Sequence, residues 1–122
     1  MSVSAEAPFF LLGLSILLCH ELDAVRCHEW RIFPGLSALS DRWGLRLFIL
    51  LHVPLLYALL WAVAAGPGTT LVAALDLFFI LHLGSHLLFL RHPRNEFQDA
   101  LSWTLIVGAA LSGGIDLLWR VA

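Results

Sequence analysis

A chain of 122 residues that is 60% hydrophobic and only 13% charged, with mean hydropathy +0.87, is too apolar for an ordinary soluble domain. Its net charge of −2 and its few, scattered basic residues leave no patch with which to hold nucleic acid. Four apolar stretches are each long enough to cross ~30 Å of hydrocarbon at about 1.5 Å per residue. The expectation is an all-α, integral membrane four-helix bundle, one domain over residues 1–122, with spans at about 8–27, 43–64, 70–90 and 97–119.

The first stretch, Phe9 to Cys19, has the look of a signal-peptide core, yet no basic residue precedes it and no small-x-small cleavage site follows. Leu18 stands where a lipoprotein cleavage site before Cys19 would need a small residue. The segment is therefore read as a retained helix one, with Pro8 suited to its first turn. Its second half carries His20, Glu21 and Asp23, so the other helices must shield it. At roughly 100° per residue, His20, Asp23 and Cys27 share a face, Glu21 and His28 flank it, and Glu29 points away. Glu29 beside Arg26 and Arg31 reads as a solvated charge pair. Cys19 and Cys27 are about 12 Å apart in helical rise, too far for a disulfide, and Cys27 reads as a buried thiol.

The second helix carries His52 in its early turns, and the connection after it, Ala65 to Thr69, holds no charge. Tyr57 and the tryptophans Trp30, Trp43, Trp61, Trp103 and Trp119 fit interfacial belts. In helix three, Asp76 lies in the half away from the histidines, with Arg120 as its expected partner in competition with Asp116. His82 and His86 form an i, i+4 pair that can chelate one ion, and Gly84 and Ser85 keep that region slim. After Pro93, Asn95 followed by Gln98 reads as the capping start of helix four, with Asp99 in its first turns. Helix four then carries Gly108, Ala109, Ala110, Ser112, Gly113 and Gly114, whose small-xxx-small spacing serves packing within the bundle or a homo-oligomer face.

The chain has no lysine. Arg26, Arg31, Arg42, Arg46, Arg91 and Arg94 all flank the first and third connections, and Arg120 alone lies at the other end. By the positive-inside rule those connections are cytoplasmic, both termini face outward, and the protein is a multi-pass component of the inner (cytoplasmic) membrane. All 6 histidines lie near the ends of spans on that same side. Ionisable groups in a bilayer cost about 2.5 to 3.5 kcal/mol each on insertion scales, so they mark function by default. Helical rise places His20, His52 and His82 at a common depth, roughly 10 to 14 Å below the interface. These observations give a metal site with His20, His52, His82 and His86 as ligands. Glu21 or Asp23 would be a further ligand, an orienting partner or a general base. His20-Glu21 lacks the histidine at position 24 that a zincin helix needs, where Ala24 stands.

The stretch His20-Glu21-Leu22-Asp23-Ala24, with His28-Glu29-Trp30-Arg31 and Pro34, resembles uncharacterised small bacterial four-helix membrane proteins of the HXXEE-like type, although the paired Glu-Glu of that name is absent. That resemblance implies four spans and no particular activity. More loosely, helix-borne histidines and acids on one side resemble membrane fatty-acid desaturases and hydroxylases, whose HxxxH grammar only His82 to His86 matches, and the zinc-holding alkaline ceramidase-like hydrolases. The leading expectation is a cytoplasm-facing His/carboxylate site for a divalent metal, zinc or iron. It would serve a metal-dependent membrane hydrolase or a di-iron oxidoreductase acting on a membrane lipid or other apolar molecule. The alternatives are a haem-binding electron-transfer bundle, with two histidines as axial ligands, and a non-enzymatic accessory membrane subunit.

Overall fold

The computed structural model describes residues 8–122, so Glu6, the only charge of the N-terminal tail, lies outside the described residues. Four helices carry the fold: α1 (Pro8–Arg26), α2 (Asp41–Ala64), α3 (Thr69–Leu88) and α4 (Ala100–Val121). Each is long and apolar enough to cross a membrane. There is no strand among the described residues, and two short 3-10 turns, Glu29–Arg31 and Leu36–Ala38, fill the α1–α2 connection.

Local chemistry sets the helix boundaries. Pro8 opens α1, where its missing N–H would have no partner in any case. The Ser40 side chain accepts from the Trp43 N–H at the start of α2. Within α2, Pro54 removes one backbone donor, a loss that intramembrane helices tolerate. Gly66 takes φ +85 in the α2–α3 turn, a conformation that a side chain would strain. The start of α4 differs from the reading at Phe97. The Asn95 amide is engaged in the loop, accepting from Phe97 N at 3.2 Å and donating to Leu90 O at 3.2 Å. Asp99 is the cap instead, its Oδ1 accepting from Ser102 N at 2.9 Å, and the helix begins at Ala100.

Packing centres on α4, which lies against both α1 and α3. Its small residues Ala109, Ala110, Ser112 and Gly113 are buried there. A Cβ at position 113 would come 2.7 Å from the Asp76 carbonyl oxygen, so glycine is what lets α3 and α4 approach. One apolar cluster joins Phe10, Leu14, Leu17, Val72, Phe79 and Ala109, and a second joins Ala24, Cys27, Trp30, Ile32, Phe48, Phe97 and Ile106. The second helix is peripheral: only Gly44 and Phe48 are buried on it, with Gly44 pressed against the Trp30 indole.

The Phe9 and Trp119 rings lie 6.4 Å apart, so α1 begins at the end where α4 finishes. At the opposite end, Arg31 bridges Asp41 at 2.6 Å and Glu96 at 3.1 Å, clasping the α1–α2 connection to the α3–α4 connection. Arg120 donates from Nε to Asp116 Oδ2 at 2.6 Å and stands 4.0 Å from Asp76 Oδ2, so the partner one turn back on its own helix is the nearer one.

Candidate metal centre

Three imidazoles meet between α1 and α3, near the end where the arginines lie. The i, i+4 spacing puts His82 and His86 on one face of α3, with ring centroids 4.6 Å apart. From α1, His20 stands edge-on to both, 4.6 Å from His82 and 5.0 Å from His86, so the three rings form a near-equilateral triangle. His20 is fully buried. Both His20 and His82 lie about 9 Å of helical rise from the ends of their helices at Arg26 and Leu88.

The fourth member is Glu29. Helix α1 stops at Arg26, and His28 takes φ 52 and ψ 49, a left-handed conformation uncommon for any residue but glycine. That reversal turns the next residue back toward the bundle, so Glu29 enters the interior instead of facing water. Ligand atoms of His20, Glu29, His82 and His86 all lie within 4.8 Å of one another. In sequence Glu29 reads as a solvated charge beside Arg26 and Arg31, and a helical phase continued through His28 points it away from the other donors. The guanidiniums assigned to it are engaged elsewhere. Arg26 donates to Asp23 at 2.7 Å and Arg31 binds Asp41 and Glu96.

The hydrogen-bond inventory of the cluster is incomplete. Both ring nitrogens of His20 and Nδ1 of His82 are buried with no hydrogen-bond partner among the described residues. A buried polar atom left without a partner costs about 1–3 kcal/mol. Nε2 of His86 and Nε2 of His82 are 3.2 Å apart, one ring donating to the other, and Glu29 Oε1 stands 4.0 Å from His86 Nε2. Phe97 closes the cluster from the α3–α4 connection, its ring 4.6 Å from His86 and 5.4 Å from His20. Burial pushes the Glu29 carboxyl up to about 7, with Glu21 acting in the same direction and His52 against it. A cation among the imidazoles would hold that carboxyl ionised.

The remaining sequence candidates lie elsewhere. His52 is engaged at both nitrogens, with Nδ1 donating to Phe48 O at 2.6 Å and Nε2 sharing a proton with Glu21 Oε2 at 2.6 Å. That contact ties α2 to α1 and leaves His52 outside the four-residue group. Asp23 accepts from Ser102 Oγ at 2.6 Å and from Arg26, which joins α1 to α4. Burial pushes the Cys27 thiol up, and the residue is packed in the apolar cluster with its Sγ 3.7 Å from Ser102 Oγ. His28 pairs with Glu96 at 2.9 Å, and His92 accepts from Arg94 N at 3.1 Å. Two residues at the centre escaped the sequence reading, Glu29 and Phe97. Neither carries a signal in sequence: no glycine or proline between Arg26 and Glu29 marks the end of α1, and Phe97 reads as one more apolar residue.

The donor set is three imidazoles and one carboxylate, which suits zinc, iron or manganese. Four donor atoms within 4.8 Å of one another could close on a single ion.

The chain matches a family of unknown function (DUF6713) over residues 7–122 and belongs to that family. No curated protein and no solved structure matches it.

Proposed function

We propose that the protein is a multi-pass protein of the inner membrane that holds one divalent metal ion through His20, His82, His86 and Glu29, on the cytoplasmic side, and uses it to act on an apolar substrate. The observation that carries this reading is the convergence of four donor atoms within 4.8 Å, with both His20 nitrogens lacking any other partner. Metal ligation would satisfy one of the two His20 nitrogens, since an imidazole gives a single donor atom to an ion. The cytoplasmic placement rests on the arginines, all of which except Arg120 flank the connections at the cluster's end.

Three imidazoles with a carboxylate able to yield its position make an open, hydrolytic type of site. A zinc ion there would polarise an ester or amide carbonyl and lower the pKa of water to near neutrality. The protein's own part is to position the imidazoles on two helices, to exclude bulk water with Phe97, and to offer Glu29 as ligand or proton acceptor. A di-iron oxidoreductase would need more ligands than these four residues supply for two metal ions. The haem alternative has no support from this geometry, because rings 4.6 Å apart and edge-on leave no slot for a macrocycle between them. In place of the sequence-derived ligand set, the reading takes Glu29 and leaves His52 with Glu21. The HXXEE-like resemblance adds no chemistry to it.

Elemental analysis of purified protein tests the reading. Wild type should carry about one divalent ion per chain, His82→Ala should lose it, and His52→Ala should keep it. Retention in His82→Ala would refute the ligand set. A metal-free wild type, indifferent to added zinc, iron and manganese, would leave the accessory-subunit alternative standing.

A further inference from the structure

A cavity of about 320 Å³ lies directly beside the proposed centre, near the small end of the range for small-molecule sites. Ile32, Phe33 and Pro34 from the α1–α2 connection form one wall, and Phe78, Leu81 and Phe89 of α3 and its C-terminal edge form the other. Its polar groups are Glu29, His82 and His86, the cluster residues themselves, together with Ser85. A pocket whose one end is a donor cluster and whose walls are otherwise apolar fits an amphiphile held with its polar junction at the cluster.

Where the cavity sits decides which amphiphile. Phe78 lies about 15 Å of helical rise before the end of α3 at Leu88, and Phe89 lies just past it. The cavity thus runs from the membrane boundary into the upper part of one leaflet. Its rim is formed by Phe33 and Leu81, which are 50% and 60% exposed. Leu81 lies on a helix long enough to span, where an exposed apolar side chain faces lipid tails, and Phe33 lies in the α1–α2 connection beside the end of that helix. Ile32, only 7% exposed, sits inside. A ligand therefore enters sideways from the bilayer and need not cross water.

We infer that this cavity binds an acyl-bearing membrane lipid, with the first part of one acyl chain between Ile32, Phe33, Phe78 and Phe89 and the adjoining carbonyl oxygen facing Glu29, His82 and His86. The inference rests on the proposed metal centre for the orientation of the lipid, while the cavity and its lateral opening stand without it.

The test is photo-crosslinking in vesicles of phosphatidylcholine and phosphatidylglycerol, doped with a phosphatidylcholine that carries a diazirine near the carbonyl of one acyl chain. Adducts are mapped by peptide mass spectrometry, and metal content is measured on the same samples. Wild type should be labelled at Ile32 and Phe89 as well as at lipid-facing Leu88, which is 80% exposed. Ser85→Trp fills the cavity from α3 and should cut labelling of Ile32 at least tenfold, with Leu88 labelling and metal content unchanged. Leu81→Trp serves as a second filling variant should the first not fold. Labelling confined to Leu88 and other lipid-facing residues in wild type overturns the inference, and so does Ile32 labelling that neither filling variant reduces. The two readings fail separately. A full complement of metal with no label on Ile32 sinks the lipid site alone, and a label on Ile32 in protein that binds no metal sinks the metal centre alone.

Discussion

Glu29 shows how one backbone torsion can recruit a functional group. His28 at φ 52 ends the direction set by α1, and the residue that follows enters the interior beside His86. A non-glycine residue held there stores strain of order 1–3 kcal/mol, offset here by the His28–Glu96 contact at 2.9 Å. Replacing Glu29 by Gln keeps the shape and removes the charge. Zinc affinity should fall at least tenfold, measured by competition with a chelator, while the helical circular dichroism stays unchanged. Unaltered affinity would mean that Glu29 is no ligand. At this scale the histidines are plain in the sequence, whereas Glu29 reads there as a solvated charge. A helical projection assumes a continuous helix, and no glycine or proline marks the break after Arg26. His52 misled for a related reason. Helical rise gives depth but not azimuth, and at a shared depth His52 meets Glu21 on α1 instead of the three other imidazoles.

At the scale of elements, α4 is the spine. Because a Cβ at position 113 would stand 2.7 Å from the Asp76 carbonyl, Gly113→Ala should force α3 and α4 apart and cost about 1–3 kcal/mol, read as a lowered melting temperature in detergent. Gly84→Ala, with nothing within 4 Å of the added carbon, should not lower it. Equal melting temperatures for the two variants would contradict the packing described. The cap at Asp99 makes a second prediction. The Ser102 N–H, with Arg26 assisting, holds the Asp99 carboxyl below its usual range. Asp99→Ala should cost about 1 kcal/mol of stability, again by thermal melting, and no change would place the start of the helix elsewhere. Helix existence was legible because length and hydropathy suffice for a span. The start of α4 was not, since Asn95 and Asp99 both carry cap chemistry, and only the fold shows that Asn95 is occupied by Phe97 and Leu90. The small-residue stripe of α4 was visible in sequence, and its use against α1 and α3 became clear only with three helices in place.

For the whole molecule, the arrangement separates two polar layers. The histidine cluster and the Arg31 clasp lie at one end, and the Asp76, Asp116 and Arg120 group lies at the other. By the positive-inside rule, the arginine asymmetry predicts that the clasp end faces the cytoplasm. In a background with Cys19 and Cys27 replaced by alanine, Ser37→Cys should react with a membrane-impermeant thiol reagent only from the cytoplasmic face, and Gly68→Cys only from the outer face. The reverse pattern would put the centre on the outer side.

In the proposed centre, His20 of α1 and His82 and His86 of α3 share one ion with the carboxylate at position 29. X-ray absorption at the edge of the bound metal, after zinc reconstitution if none copurifies, tests it most directly. The expected first shell is nitrogen and oxygen at about 2.0–2.1 Å with the multiple scattering of three imidazoles, falling to two in His20→Ala loaded with excess zinc. A shell containing sulfur, or an imidazole signal that survives His20→Ala unchanged, would contradict it.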